Sequence, residues 1–349
     1  MSTAAPSLTE RLAELGEPAY RARQAEEARR HGAMGWNDIT SWPKALRARM
    51  EEGPGLWAVT PRVSARSEDG TVKWMFAADD GAQIEAVSIA HARSRRTVCV
   101  SSQVGCALGC RFCATGKLGP GRNLRSNEII DQVVYAQAEA ERVDARVSNV
   151  VFMGMGEPMQ NLDAVLEAAR YFTDPEDGLG LSSRKVAIST AGWVPGISAL
   201  AASDVAVRLA ISLHAADDTT RSALMPINNR WPIANLMAEC RRYCDQTGRR
   251  VFIEYLLLHE INDRQEDARR LADLVRDGNF HINLIQFNPT GGEYRASSSE
   301  RRERFIIALE RAGVTPSVRR SRGADIDAAC GQLALSTGGS PENGHPAGA

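Results

Sequence analysis

From Thr97 onward, continuous apolar runs alternate with stretches of helical pattern, and this alternation limits the chain to few folds. Strands buried on both faces are apolar throughout, and strands that alternate with helices form a parallel sheet. We predict six such strands: Thr97–Ser102, Asn149–Met153, Arg184–Thr190, Val205–Leu213, Val251–Leu258 and His281–Phe287. The pattern therefore predicts an α/β fold, a partial (β/α)6 barrel, whose site lies at the carboxyl ends of the strands.

A loop with three closely spaced cysteines follows the first predicted strand. Cys106, Cys110 and Cys113 have the spacing C-x3-C-x2-C, and Cys99 lies seven residues before them. Thiolates hold iron–sulfur clusters, and three ligands for a four-iron cluster leave one iron open to a small molecule. A structural zinc site is the competing interpretation, but it needs four N or S ligands and the loop contains no histidine.

Charge and cysteine content limit the possible partners and compartments. The 349 residues include 42 basic and 43 acidic side chains, so an RNA partner would need a local basic patch. Seven cysteines, three of them in a metal loop, fit a reducing cytosol better than a disulfide framework. Because residues 1–7 lack a signal-peptide pattern and no run of 18 apolar residues occurs, we expect a cytoplasmic protein without a membrane span.

The pattern divides the chain into four parts. For residues 1–53 the pattern predicts a small N-terminal helical accessory domain. The faces of its helices carry few apolar residues, which indicates that it has no core of its own. Residues 54–91 contain the hairpin signals Asp69-Gly70 and Asp80-Gly81 and predict a β-meander linker region. The core then covers 92–324, and residues 325–349 form a C-terminal segment with Cys330 and a tail that we expect to be disordered after Leu335.

Polar residues stand where several predicted strands end. The turn Gly154–Pro158 follows the second strand, its glycines allow close approach of a ligand, and Glu157 is suited to accept from an ammonium group. Other strand ends carry Ser189-Thr190, Ser212 to His214, and Asn288. A single strand-end residue of this kind is usually turn chemistry, but several on one rim indicate a ligand that is held at several points.

The sequence pattern alone leaves the roles of two further sets of residues open. Cys330 lies among Gly and Asp residues and is exposed by pattern, whereas Cys240 and Cys244 have helical spacing that indicates packing. Basic residues crowd near the metal loop and near Cys330, namely Arg93, Arg95, Arg96, Arg111, Lys117, Arg122, Arg125, Arg319, Arg320 and Arg322. They are either a solvated surface or a site for an RNA backbone.

Together these motifs resemble one family over about residues 85–335. The resemblance rests on Cys99-Val-Ser-Ser-Gln-Val-Gly-Cys106, the cysteine loop, Gly154-Met-Gly-Glu-Pro, Ser212-Leu-His-Ala, Leu224-Met-Pro-Ile-Asn and Arg322-Gly-Ala-Asp-Ile-Asp-Ala-Ala-Cys-Gly-Gln. The cysteine loop is similar to that of radical S-adenosylmethionine (SAM) enzymes. The whole set resembles the RlmN/Cfr family of radical SAM RNA methyltransferases, and its RlmN branch most.

The resemblance implies a set of site residues and cofactors. Cys106, Cys110 and Cys113 would hold a [4Fe–4S] cluster, and SAM would bind its open iron. The positions that match the family's SAM contacts are Gly156, Glu157, Ser189, Ser212, Leu213, His214 and Asn288. Cys330 matches the methyl-carrying cysteine, Cys99 the resolving cysteine and Glu85 the proton acceptor. The implied partners are ribosomal RNA, transfer RNA and an electron donor of flavodoxin or ferredoxin type, and we expect a monomer.

The implied reaction methylates C2 of an adenosine, a carbon that has no lone pair with which to attack SAM. One SAM methylates Cys330, and a second yields a radical that links the Cys330 methyl carbon to the base. Glu85 then takes the ring proton, and Cys99 attacks the Cys330 sulfur to release the product. The target base has to leave its stack to reach such a site.

Three alternatives stay open at this point. Cfr-type methylation at adenine C8, which confers antibiotic resistance, uses the same motifs. A radical SAM enzyme that acts on a protein or a small molecule would not need the Cys99 and Cys330 pair. A non-catalytic iron–sulfur or zinc protein would share the cysteine loop alone.

Overall fold

The computed structural model describes residues 8–319 and 321–333, and one ten-stranded sheet runs through it. The strands are β1 (Val59–Arg66), β2 (Val72–Ala78), β3 (Gln83–His91), β4 (Arg95–Cys99), β5 (Arg146–Phe152), β6 (Val186–Thr190), β7 (Arg208–Ser212), β8 (Val251–Leu257), β9 (Phe280–Gln286) and β10 (Ser317–Arg319). Each strand pairs with its neighbour in the sequence, so the order of the strands in space is their order along the chain.

Eleven α-helices occur in the described ranges. They are α1 (Leu8–Glu14), α2 (Tyr20–Arg30), α3 (Lys44–Glu51), α4 (Ala114–Leu118), α5 (Ser126–Glu141), α6 (Leu162–Thr173), α7 (Val194–Ala202), α8 (Asp218–Leu224), α9 (Ile233–Thr247), α10 (Gln265–Val275) and α11 (Ser299–Arg311). Helix α9 ends at Gly248, whose φ of 67° is the left-handed conformation that glycine adopts at a helix end.

Strands β4 to β9 are parallel, as the alternation in the sequence predicts, and β10 adds a further parallel strand beside β9. In the described chain β1 and β10 lie at the two edges of the sheet, so the barrel is partial. The predicted α/β class and the six barrel strands are therefore confirmed.

The β-meander belongs to the same sheet as the barrel. Strands β1 to β3 are antiparallel, and β3 pairs antiparallel with β4 in a register that sets Val87 opposite Cys99. Residues 54–91 thus extend the sheet instead of only connecting two parts. The domain boundaries drawn from the sequence stay a prediction.

The main core lies between the sheet and the helices that cover it. Val150, Phe152, Ile188, Leu209 and Ile253 are completely buried on neighbouring strands. Burial of each such side chain contributes about 1.5–3 kcal/mol relative to exposure. Strands this apolar need cover on both faces, which is why they alternate with helices.

The N-terminal helices have a hydrophobic core, so the prediction of a coreless accessory unit is wrong. The helices themselves bury few apolar residues, but Trp36, Trp42 and Trp57 from the connecting segments complete a separate buried cluster. Arg29 of α2 lies over the Trp57 ring and forms a buried ion pair with Asp131 of α5. This cluster includes α5 residues, so it also attaches the N-terminal helices to the barrel.

The C-terminal segment crosses the barrel and is held at both sides. On the meander side, Asp325 accepts from Ser67 Oγ at 2.7 Å, and Asp69 accepts from Gly323 N at 3.1 Å. On the other side, Ala114 N donates to Gly331 O at 2.8 Å. Cys330 is thereby held over the barrel. The predicted disordered tail, residues 1–7 and Arg320 lie outside the described residues.

Candidate active site

The three cysteines of the metal loop meet at one cavity. Cys106, Cys110 and Cys113 follow β4 and line a space of about 160 Å³ at the carboxyl ends of the parallel strands. A Cβ on Gly116 would lie 2.8 Å from the Cys110 carbonyl oxygen, so only glycine lets the loop fold back this closely. The sequence prediction that these three thiols share one site is consistent with this geometry.

The donor set fits a cluster with three protein ligands. Burial raises the pKa of Cys106 to about 11 and raises that of Cys110 further, so a cation is needed to hold these sulfurs as thiolates. Among the described residues, no three His, Cys, Asp or Glu side chains are grouped closely enough for a single metal ion. Because each thiolate of a four-iron cluster binds a different iron, its ligands stand farther apart than those of one ion.

The turn after β5 forms the next part of the cavity. Gly156 has a φ of 101°, and a Cβ there would lie 2.6 Å from Gln103 Cβ, so the turn needs glycine. The Glu157 carboxylate is buried and accepts from Met159 N at 3.1 Å and from Ala191 N at 2.8 Å. Burial outweighs these donors and raises the pKa of Glu157 to about 7.

His214 presents a hydrogen-bond donor to the cavity. Its Nδ1 accepts from Leu256 N at 3.1 Å, so the neutral ring carries its proton on Nε2. Burial lowers the pKa of His214 to about 3, so the ring is neutral at pH 7. The Phe112 ring packs edge-on at 5.0 Å and fixes the imidazole beside the cysteine loop.

The structure brings together most of the residues predicted to contact SAM. Gly156, Glu157, Ser189, Ser212 and His214 line the cavity of the three cysteines. Leu213 is buried in the core and does not line it. Asn288 lines a neighbouring cavity instead and donates to the Cys330 carbonyl oxygen at 3.4 Å.

A second, larger cavity of about 400 Å³ continues into the barrel. Cys99 of β4 lines this cavity, and Cys330 lines both cavities. Glu254 of β8 is also shared, and Asn283 donates to its Oε1 at 2.8 Å. The Cys330 side chain thus stands where the cysteine-lined space and the barrel interior meet.

All seven cysteines are free thiols in the structure. Desolvation by the surrounding cavity walls raises the pKa of both Cys99 and Cys330, and each thiol lies near the charge of other groups in the cavity. Cys240 and Cys244 are buried in the core under α9, as their helical spacing predicts.

Glu85 lies near this site but lines neither cavity. It is two residues from Val87, the partner of Cys99, so Glu85 and Cys99 share a face of the sheet. Its carboxylate is buried and pairs with Lys73 at 3.2 Å. Lys73 also donates to the Asp327 carbonyl oxygen at 3.4 Å, which joins the ion pair to the Cys330 segment.

Several of the basic residues noted in the sequence have structural partners. Arg122 pairs with Asp80 and with the buried Glu128, and Arg125 also pairs with Glu128. Lys117 donates to the Thr290 carbonyl oxygen. For these three residues the sequence leaves open a solvated surface or an RNA-backbone site, and the structure gives each of them a partner within the protein.

Basic residues surround the second cavity, and only Arg319 and Arg322 among them belong to the basic groups noted in the sequence. Arg184 and Lys185 directly precede β6, and Arg208 begins β7, so all three lie at the amino ends of parallel strands. Arg319 and Arg322 line the same cavity. The available signal was a basic residue immediately before an apolar strand. The barrel interior therefore carries a cysteine site at one end and positive charge toward the other.

Comparison with known proteins agrees with this geometry. Residues 100–275 match the Radical SAM superfamily. A crystal structure of a radical SAM methyltransferase from Sphaerobacter thermophilus superimposes with a TM-score of 0.89 at 45% identity, covering 93% of this chain and 96% of that one. The fold and site thus define a radical SAM enzyme, which uses a [4Fe–4S] cluster and SAM.

Two curated relatives define the family within that class. The dual-specificity RNA methyltransferase RlmN of Syntrophobacter fumaroxidans is 43% identical over 335 residues, which are 95% of this chain and 97% of that protein. The probable dual-specificity RNA methyltransferase RlmN of Heliobacterium modesticaldum is 44% identical over 330 residues, or 92% and 86% of the two chains. The chain belongs to the RlmN family of radical SAM RNA methyltransferases. None of its described helices is long and apolar enough to cross a membrane.

Proposed function

We propose that this protein methylates C2 of an adenosine in large-subunit ribosomal RNA and in transfer RNA, through a methylated Cys330 and a transient protein–RNA adduct. The observation that carries the proposal is the position of Cys330. It lines both the cavity of the cluster cysteines and the larger cavity that contains Cys99. A side chain that takes a carbon from SAM and passes it to a base needs access to both spaces.

The cofactor residues are proposed as follows. Cys106, Cys110 and Cys113 hold the cluster, and the rim residues Gly156, Glu157, Ser189, Ser212, Leu213, His214 and Asn288 hold SAM. When bound, the cluster and SAM supply the electron, the methyl group and the adenosyl radical of this chemistry. Glu157 accepts from the SAM ammonium group, and His214, whose neutral ring carries its proton on Nε2, lines the same cavity. Leu213 contributes through its backbone, since its side chain is in the core.

Cys330 acts as the carbon carrier. Its thiol loses a proton and its sulfur gains the methyl group, a displacement that requires an accessible sulfur. Its side chain is solvent-exposed within the cavity, while backbone bonds on both sides hold the segment. The methyl carbon would lose one hydrogen atom to the adenosyl radical that SAM supplies and then bond to adenine, which joins protein and RNA.

Release requires a base and a second thiol. Glu85 accepts the proton of the ring carbon, and Cys99 attacks the Cys330 sulfur to form a transient disulfide. The shared cavity of the two cysteines supports the second role. The ion pair of Glu85 with Lys73 supports the first, because it keeps a carboxylate next to the Cys330 segment.

The RNA backbone binds at the basic mouth of the larger cavity. Arg184, Lys185, Arg208, Arg319 and Arg322 supply positive charge there, and phosphate contacts dominate the affinity of RNA binding. An adenine flipped from an unpaired loop then reaches Cys330 through the barrel. An electron donor of flavodoxin or ferredoxin type, a monomeric state and a cytoplasmic location complete the proposal.

The deciding experiment identifies the modified nucleoside. Anaerobically reconstituted protein is incubated with SAM, reductant and either unmodified ribosomal RNA or unmodified transfer RNA, and the digests are analysed by mass spectrometry. We expect 2-methyladenosine from both RNAs. Only 8-methyladenosine would instead establish Cfr-type chemistry, and cleavage of SAM without any methyladenosine would mean that the substrate is wrong.

A further inference from the structure

Arg221 is an arginine of α8 that is completely buried behind the cofactor cavity. Its guanidinium donates to Leu213 O at 3.1 Å, to Asn228 Oδ1 at 2.8 Å, to Ala191 O at 2.7 Å and to Ser212 O at 3.3 Å. All four acceptors are neutral oxygens. Most buried arginines pair with a carboxylate, because a charge taken out of water is costly unless it is compensated.

Arg221 lies close to the cysteine loop. Ala191 and Ser212, whose carbonyl oxygens accept from Arg221, line the cavity of the three cysteines. The next turn of α8 bonds to the loop itself, since Arg111 N donates to Leu224 O at 3.0 Å.

The positive charge is present at neutral pH; the Asp218 charge acts on it through space, but none of the described carboxylates hydrogen-bonds to it. Burial lowers the pKa of Arg221 to about 10, which leaves the guanidinium protonated at pH 7. The carboxylate closest in sequence, Asp218, forms its hydrogen bonds with Asn228 Nδ2 and Ile233 N and not with Arg221. A positive charge without a hydrogen-bonded carboxylate is thus buried behind the cavity of the three cysteines.

We propose that Arg221 raises the reduction potential of the cluster held by Cys106, Cys110 and Cys113. Reduction adds one negative charge to the cluster. A nearby buried cation stabilises that charge more than it stabilises the oxidised cluster, because little water screens the interaction. Arg221 therefore eases entry of the electron on which radical formation depends. The inference rests on the proposed cluster ligands and not on the proposed RNA chemistry.

The test is an EPR-monitored redox titration of the reconstituted cluster without RNA. We expect Arg221→Gln to lower the equilibrium constant for reduction roughly tenfold, which is about 59 mV for a one-electron couple. Arg221→Lys keeps the charge while losing most of the hydrogen bonds, so we expect its potential to stay near that of the wild type. A purely structural role would predict that both variants shift alike, and that result would overturn the proposal.

A second variant covers the case in which Arg221→Gln does not fold. The double change Asp218→Asn with Asn228→Asp exchanges an acid and an amide that already bond to each other. It leaves the net charge unchanged, but the side chain at position 228, which accepts from Arg221, becomes a carboxylate. We expect the potential to fall in this variant as well, because the guanidinium is then neutralised in place.

Arg170→Gln is the control for loss of an arginine charge. Its guanidinium pairs with Asp204 at the surface, where both side chains are exposed and water screens the charge, so the potential should not move. An unchanged potential in the exchange variant would overturn the role of Arg221. Absence of the EPR signal from the wild-type protein, or its presence in the Cys110→Ala variant, would instead count against the proposed cluster ligands.

Discussion

Cys330 combines two properties that rarely coincide in one cysteine, since its side chain has solvent access and its backbone is fixed. Asn288 and Ala114 hold the peptide groups of residues 330 and 331, while the sulfur faces open space. The segment can therefore present one carbon to two different reactants without unfolding. Its roles in the proposed mechanism can be separated from those of Cys99 by single substitutions.

Cys99→Ala should trap the protein on its RNA. The variant keeps the carrier thiol of Cys330, so the RNA link can form, but it lacks the thiol that breaks the link. We expect a covalent protein–RNA species on denaturing gels and more than about tenfold less methylated nucleoside. The double variant with Cys330→Ala should form no such species. Full turnover of Cys99→Ala with no trapped RNA would remove Cys99 from the mechanism.

His214 should make the cofactor-free protein less stable in acid. Its pKa is about 3 in the folded protein and 6.5 in the unfolded chain, so between these values the unfolded state binds more protons. The stabilisation is therefore present above pH 6.5 and is lost as the pH falls toward 3. From pH 7 to 5 we expect a loss of about 2 kcal/mol from this group, at 1.36 kcal/mol per pKa unit.

The comparison variant for this prediction is His214→Asn. Asparagine tolerates the φ of 57° at this position and offers an oxygen to Leu256 N, but it does not titrate. Urea unfolding of both proteins at several pH values measures the difference. Parallel stability curves from pH 7 to 5 would show that His214 is protonated to the same extent in both states.

At the scale of elements, the C-terminal segment is held by few bonds on the meander side. Asp325→Ala removes the bonds to Ser67 Oγ at 2.7 Å and to Glu68 N at 3.3 Å. Bonds to a charged group are worth about 1.5–3 kcal/mol, so the segment should open at least about tenfold more often. We expect faster alkylation of Cys330 by iodoacetamide, measured by mass spectrometry.

Asp204→Ala serves as the control for the segment, since Asp204 pairs with the exposed Arg170 and not with the described C-terminal residues. Its alkylation rate should equal that of the wild type. If Asp325→Ala also reacted at the wild-type rate, the bonds to the meander would not be what holds Cys330 in place.

Elements with a strong apolar pattern were predictable, and polar ones were not. Strands β4 to β9 follow from their continuous apolar runs. Helix α8 was missed because it spans seven residues and its buried members are Arg221 and Leu224, which leave no apolar stripe. The N-terminal core was missed because Trp36, Trp42 and Trp57 lie between the helices, where helical periodicity gives no signal.

For the whole molecule, the near-zero net charge does not reveal that positive charge is concentrated around the larger cavity of the barrel. The chain has a net charge of −1, yet basic side chains gather around the larger cavity, where Arg184, Lys185 and Arg208 lie at the amino ends of strands. The candidate cofactor residues are recognisable in the sequence because they share motifs at strand ends. Of the basic mouth only Arg319 and Arg322 are recognisable, because Arg184, Lys185 and Arg208 are far from them in sequence and only the barrel brings them together.

Neutralising this mouth should change the salt dependence of RNA binding. For the double variant Arg184→Ala with Arg208→Ala, we expect weaker binding and a plot of log affinity against log salt that is less steep by about 0.7–0.9 per lost phosphate contact. Filter binding at several salt concentrations measures it. Arg170→Ala, which removes a charge paired with Asp204, should leave the slope unchanged. An unaltered slope in the double variant would place the RNA elsewhere.

The order of the strands has a consequence for biosynthesis. Because β1 to β10 pair in the order in which they leave the ribosome, each new strand finds its partner already made. The segment with Cys330 packs across this sheet only after the last strand is in place. A nascent chain can thus form its whole sheet before Cys330 has been synthesised. On the proposed mechanism, an unfinished chain then cannot form a covalent bond with the RNA that surrounds it.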